Sequence, residues 1–264
     1  MTARDPTTPD PGDLLALASG IAHEAGAGLR DAFGRAVEIT AKSTPTDLVS
    51  EADLSTERLI RSRLEAARPD DAIMGEEGDD RPGTSGLRWV VDPLDGTINF
   101  LFGIPHWCVS IACEDAGGAL AGVVFDPMRG ETWAATRDGP ATLDGTPIRS
   151  RNRRELGPAM VATGFGYDSA VRESQARVLA RLLPRVRDVR RFGAAALDLA
   201  WTAGGRFDAY FERGVKHWDV AAGALICARA GLAVRALAAA PPAESGTLVA
   251  PPAIVDELLA LVSD

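Results

Sequence analysis

The stretch Trp89-Val90-Val91-Asp92-Pro93-Leu94-Asp95-Gly96-Thr97-Ile98-Asn99-Phe100 decides how the rest of the chain is read. The apolar run from Leu87 to Val91 predicts a buried strand. Pro93 cannot donate to a strand ladder, so the strand is expected to stop at about Asp92, leaving Asp92 and Asp95 to flank a tight turn. Two carboxylates that close raise each other's pKa unless a cation lies between them. The economical reading is a divalent-metal site. Magnesium is the natural ion, because it is a hard cation that takes oxygen ligands and keeps waters for a substrate phosphate. Gly96 and Thr97 open a short predicted helix, whose backbone N–H groups suit an anion.

A chain of 264 residues with 46% hydrophobic content suffices for one large α/β unit or two small domains. The net charge of -9 argues against nucleic acid or an anionic membrane as the default partner, since both require a basic footprint. Cys108, Cys113 and Cys227 are an odd number inside apolar runs and read as reduced core thiols. With no apolar run of about 18 residues and no secretory-type start, the expected location is the cytoplasm.

Residues 1–12 read as a disordered leader, and residues 13–264 as one unit with halves at about 13–150 and 151–264. Asp13 is the expected cap of a helix whose stripe runs Leu14, Leu17, Ala18, Ile21, Ala25, Leu29 and Phe33. Ile73-Met74-Gly75-Glu76-Glu77 reads as a short strand ending in what is ordinarily a solvated acidic turn. Residues 109–136 predict a meander of antiparallel strands. Strands and helices alternate in the second half, which implies an α/β layer. Asp53 and Asp219 each head a predicted helix, where an N-cap is a complete explanation. Zinc chemistry would want clustered histidines, but His23, His106 and His217 are scattered, and no Walker-type phosphate loop occurs. His217 is read as pocket wall.

The run Asp92 to Phe100 resembles the signature of the inositol monophosphatase family, the magnesium-dependent, lithium-sensitive sugar and polyol phosphatases. Asp47-Leu48-Val49-Ser50-Glu51-Ala52-Asp53, Gly75-Glu76-Glu77 and His217-Trp218-Asp219-Val220-Ala221-Ala222-Gly223 resemble its other segments, in the family's order and at about its spacing. The likeness runs from about Asp13 to the C-terminus. It implies an α/β fold, a five-layer αβαβα sandwich of the inositol monophosphatase and fructose-1,6-bisphosphatase type, usually a homodimer.

The resemblance also implies two or three Mg²⁺ ions. Glu76, Asp92 and the Leu94 carbonyl would hold the first, and Asp92, Asp95 and Asp219 the second. Glu76, with the Thr97 hydroxyl partnered by Asp53, would orient the attacking water, and the Gly96 and Thr97 N–H groups would hold phosphate. On the substrate side it implies Glu212 for sugar hydroxyls, Lys42 on a flap, and the Ala195 segment. Gly193-Ala194-Ala195 departs there from the family's Gly-Ser-Ala or Gly-Thr-Ala. Aspartyl-phosphate phosphatases of the haloacid dehalogenase type set their two aspartates one residue apart. Here Pro93-Leu94 separates them by two, which disfavours a covalent aspartate.

The expected substrate is a small phosphate ester. Myo-inositol monophosphate is favoured, since Thr163-Gly164-Phe165-Gly166 and Phe211-Glu212-Arg213-Gly214 resemble bacterial members. Histidinol phosphate and fructose 1,6-bisphosphate are the alternatives, and a binding partner of transcription machinery is an alternative of another class. Ala238 to Ser245 reads as poor in residues that could recognise a substrate.

Overall fold

The computed structural model describes residues 9–35, 39–41 and 48–263, so Lys42 and Asp47 lie outside the described residues. Helix α1 (Pro11–Ala32) starts three residues earlier than its sequence pattern suggests. The Asp10 carboxylate accepts the Gly12 N–H at 2.7 Å and proline occupies the first turn. Asp10 has the extended backbone a cap needs, whereas Asp13 falls inside the first turn and only complements the helix dipole. Pro11 and Gly12, expected to belong to the leader, lie in this helix.

Strands β1 (Ile39–Ala41) and β2 (Leu48–Ser50) pair antiparallel and lead into α2 (Glu51–Ala67). Next come β3 (Ala72–Gly75), β4 (Arg88–Asp95), α3 (Thr97–Leu101), β5 (Cys108–Asp115), β6 (Gly118–Asp126), β7 (Glu131–Thr136), β8 (Thr142–Leu143) and β9 (Thr146–Pro147). Strands β3 to β9 form one seven-stranded sheet in sequence order, parallel at β3–β4 and antiparallel beyond, and its β5–β7 portion is the predicted meander.

The second half supplies β10 (Met160–Thr163), α4 (Ser169–Leu182), β11 (Asp188–Arg190), α5 (Ala195–Ala203), β12 (Ala209–Arg213), α6 (His217–Arg229), β13 (Ala233–Leu237), β14 (Gly246–Ala250) and α7 (Val255–Val262). Its five strands order β11-β10-β12-β14-β13, with β12 central.

Layering follows from which faces are apolar. Along β4, Trp89 and Val91 join the core under α1 and α2, while Val90 between them joins the core under α5 and α6. Successive strand side chains point to opposite faces, so a strand apolar throughout must be covered on both. Strand β12 does the same: Tyr210 faces the α5 and α6 core, and Ala209 and Phe211 face a third core under α4 and α7. The layers are α1/α2, the seven-stranded sheet, α5/α6, the five-stranded sheet and α4/α7, the expected αβαβα sandwich.

One sequence expectation fails instructively. Strand β4 does not stop at Asp92. Asp92 pairs with Ser110 and Asp95 with Cys108, so three steps on β4 oppose two on β5. The extra residue is a bulge, and the segment holding Pro93 lies within the skipped register, where a missing N–H costs no ladder bond. Asp92 and Asp95 thus sit on a rigid, buried strand end and do not flank a turn.

Candidate active site

The bulge opens on a cleft of about 480 Å³ bounded by elements of both halves. Gly96 follows β4 with φ 94°, a left-handed conformation, and a Cβ there would lie 3.0 Å from the His106 carbonyl oxygen and 3.1 Å from Ala194 Cβ. Only glycine fits that turn without strain. Helix α3 then starts at Thr97, whose hydroxyl lies 2.9 Å from Asp53 Oδ1 and 3.1 Å from the Leu94 carbonyl. Asp53 is fully buried in the first turn of α2, so its carboxylate reaches Thr97 from a helix 44 residues away.

Asp92, Asp95, Asp219 and Glu76 all line this cleft. Asp92 is buried on β4 and its Oδ1 accepts the Leu94 N–H at 3.1 Å. Burial, reinforced by the charges of Glu76, Asp95 and Asp219, pushes its carboxyl well above the usual carboxylate range. Asp95 accepts three N–H groups from the start of α5: Ala195 at 3.0 Å, Ala196 at 2.7 Å and Leu197 at 3.3 Å. Burial still lifts it to about 7, those bonds opposing and the Asp198 charge adding. Asp219 lies within the first turn of α6 and is not its cap. Its Oδ2 accepts the Lys216 N–H at 2.6 Å, and burial with the nearby Asp95 raises it to about 8.

Among the described residues, no group of three His, Cys, Asp or Glu side chains stands close enough to hold a metal ion as placed. The four carboxylates share the cleft without converging, and the charges of Glu76 and Asp95 raise the carboxyls of Asp92 and Asp219. Asp92, Asp95 and Asp219 each already accept backbone N–H groups. The donor set itself fits one. It is all hard oxygen, strongly anionic and costly to bury unneutralised, which matches a hard divalent cation.

Glu212 lies across the cleft at the end of β12, half-buried, with its Oε2 accepting the Tyr210 hydroxyl at 2.9 Å. Ala195 also borders the cleft, but the contact it makes is through its backbone N–H to Asp95. His217 departs from expectation. It turns to Glu114, with Nε2 2.9 Å from Oε2, and does not border the cleft. Ala238 to Ser245 departs too, since Pro242 and Glu244 line the cleft and Glu244 pairs with Lys216 at 2.5 Å.

Several positioning contacts were invisible in the sequence. Buried Glu57 on α2 accepts the N–H groups of Glu77 at 2.7 Å and Gly78 at 2.8 Å and pairs with Arg61 at 2.6 Å, fixing the turn that carries Glu76. Buried Asn99 donates to the carbonyls of His106 and Phe192, each at 2.8 Å, tying α3 to the segment before α5. The Glu57-to-Arg61 spacing was the one available signal, and it reads equally as a surface helix pair.

A two-sheet sandwich that gathers these carboxylates beside a hydroxyl–carboxylate pair defines an enzyme, a phosphoric monoester hydrolase, and the comparisons agree. Residues 10–263 match the model of the inositol monophosphatase family. The chain is 46% identical to the inositol-1-monophosphatase of Mycobacterium bovis, covering 96% of this chain and 95% of that one. The solved structure of extragenic suppressor protein suhB from Bartonella henselae is 32% identical, with TM-score 0.88 over 96% of this chain and 99% of that one. A protein named Nus factor SuhB from Xylella fastidiosa is 46% identical over 70% of this chain and 67% of its own length. The chain belongs to the inositol monophosphatase family.

Proposed function

We propose that this phosphatase is Mg²⁺-dependent and hydrolyses a polyol or sugar monophosphate, with myo-inositol monophosphate as the favoured substrate. The observation that supports the reading is that Asp92, Asp95, Asp219, Glu76 and Glu212 line one cleft with Thr97, whose hydroxyl bonds Asp53. Glu76, Asp92 and the Leu94 carbonyl would hold one ion, and Asp92, Asp95 and Asp219 another. When bound, Mg²⁺ supplies charge neutralisation at the phosphoryl group and a more acidic water. The chain does the rest. The Thr97 hydroxyl, held by Asp53, accepts and orients a water proton together with Glu76. The Gly96 and Thr97 N–H groups lie at the start of α3, where phosphate oxygens would be received. Glu212 takes a substrate hydroxyl.

The relative named inositol-1-monophosphatase supports the substrate choice, and histidinol phosphate and fructose 1,6-bisphosphate are the competitors to exclude. The test is phosphate release from all three substrates, with Mg²⁺ and with EDTA. Turnover of inositol 1-phosphate that EDTA abolishes is the expected result, and faster turnover of either competitor refutes the assignment. We also infer a homodimer in the cytoplasm. Phe102 and Ile104, 73% and 47% exposed, offer an apolar contact that a two-fold interface would cover, and a monomer by light scattering refutes it.

The Nus factor relative favours a second role, binding to transcription machinery independently of hydrolysis. Capture of a transcription complex by Asp92→Asn protein supports it. Failure of both that variant and the wild type to capture one excludes it.

A further inference from the structure

Tyr210 lies in the middle of β12, the central strand of the second sheet, and is fully buried. It pairs with Ala162 of β10 on one side and Val249 of β14 on the other, so its backbone is held from both edges. Glu212 is two residues on, and side chains at that spacing share a strand face. The Tyr210 ring packs in the core under α5 and α6, and its hydroxyl reaches Glu212 Oε2 at 2.9 Å. A buried phenol needs a partner, and here the partner is the carboxylate at the cleft wall.

The same carboxylate lies against Gly164, just past β10. A Cβ on Gly164 would stand 2.0 to 2.1 Å from the Glu212 carboxyl atoms, so the carboxylate lies flat against glycine backbone. The Glu212 carboxylate is thus held by the Tyr210 hydroxyl and packed against the bare backbone of Gly164. The other charges felt at Glu212, those of Asp198 on α5, Asp219 on α6 and Arg191 before α5, do not hydrogen-bond it in this arrangement.

We propose that Tyr210 is a positioning residue that locks Glu212 so that a single carboxylate oxygen receives a substrate hydroxyl, making the pair a determinant of polyol over plain phosphate-ester recognition. The proposal rests on the cleft reading given above. Tyr210 touches no substrate and acts through Glu212. Its loss therefore weakens recognition of hydroxyl-bearing substrates while leaving the phosphoryl end of the cleft intact.

The test measures wild type, Tyr210→Phe, Glu212→Gln and the double variant on myo-inositol 1-phosphate and on phenyl phosphate, which carries no hydroxyl, in saturating Mg²⁺. Tyr210→Phe is expected to raise KM for inositol 1-phosphate about 3- to 10-fold, the scale of one hydrogen bond, with kcat changed less than about twofold. Phenyl phosphate kinetics stay unchanged, and adding Tyr210→Phe to Glu212→Gln has no further effect. An unaltered KM in Tyr210→Phe, equal losses on both substrates, or additive effects in the double variant each overturn the proposal while the cleft reading stands. A wild type that cleaves phenyl phosphate but not inositol 1-phosphate overturns the polyol reading itself, and the proposal with it.

Discussion

Binding of Mg²⁺ should displace protons from the acidic cluster. Asp95 titrates at about 7 and Asp219 at about 8, and Asp92 lies well above the usual carboxylate range. At pH 7 a group at about 7 is half protonated and one at about 8 is about nine-tenths protonated, so this pair alone releases about one to two protons on closing round a cation. The apparent Kd for Mg²⁺ then tightens about 10- to 50-fold per pH unit between pH 6 and 7. Each tenfold is worth about 1.4 kcal/mol of added stability at fixed excess Mg²⁺. The sign for the cation-free protein is opposite. These carboxyls are raised above their unfolded values, so the folded state holds more protons. Their contribution to its stability declines as pH rises from about 4 through about 8. The Mg²⁺ increment in Tm should therefore grow from pH 6 to pH 8. Titration calorimetry in two buffers of different ionisation heat counts the protons. Zero protons released, with the same Tm increment at both pH values, would refute the reasoning.

Asp92→Asn keeps an oxygen for the Leu94 N–H but removes a carboxyl that would ionise on binding a cation. It should cost about 10³-fold in kcat, while Tm in EDTA holds or rises, and a large Tm loss would contradict this. Gly96→Ala places a methyl 3.0 Å from the His106 carbonyl at φ 94° and should destabilise by about 1–3 kcal/mol in urea titrations, with an unchanged midpoint as the contrary result. Arg213→Ala strips donors from the carbonyls of Ala238 at 3.1 Å, Val262 at 2.6 Å and Ser263 at 3.4 Å, so denaturant titration should show a loss of about 2–4 kcal/mol.

What the sequence determined by itself was everything that chain neighbours or simple period can encode. Asp92, Asp95, Gly96 and Thr97 lie within six consecutive residues, so one strand end must deliver them together. The α1 stripe and the β5–β7 meander follow from 3.6-residue and two-residue periods joined by short turns. Tertiary structure alone decided the rest. Whether Pro93 ends β4 or sits in a bulge depends on β5, which continues pairing beyond it. The N-terminus of α5 meets Asp95 across 100 residues, and nothing local to either marks the other as its partner. Tyr210 reads as a core aromatic until β10 brings Gly164 against Glu212. Periodicity fixes which face of a strand or helix is buried, but which surface covers it is set by layer packing and strand order. The cleft lies where two such layers meet.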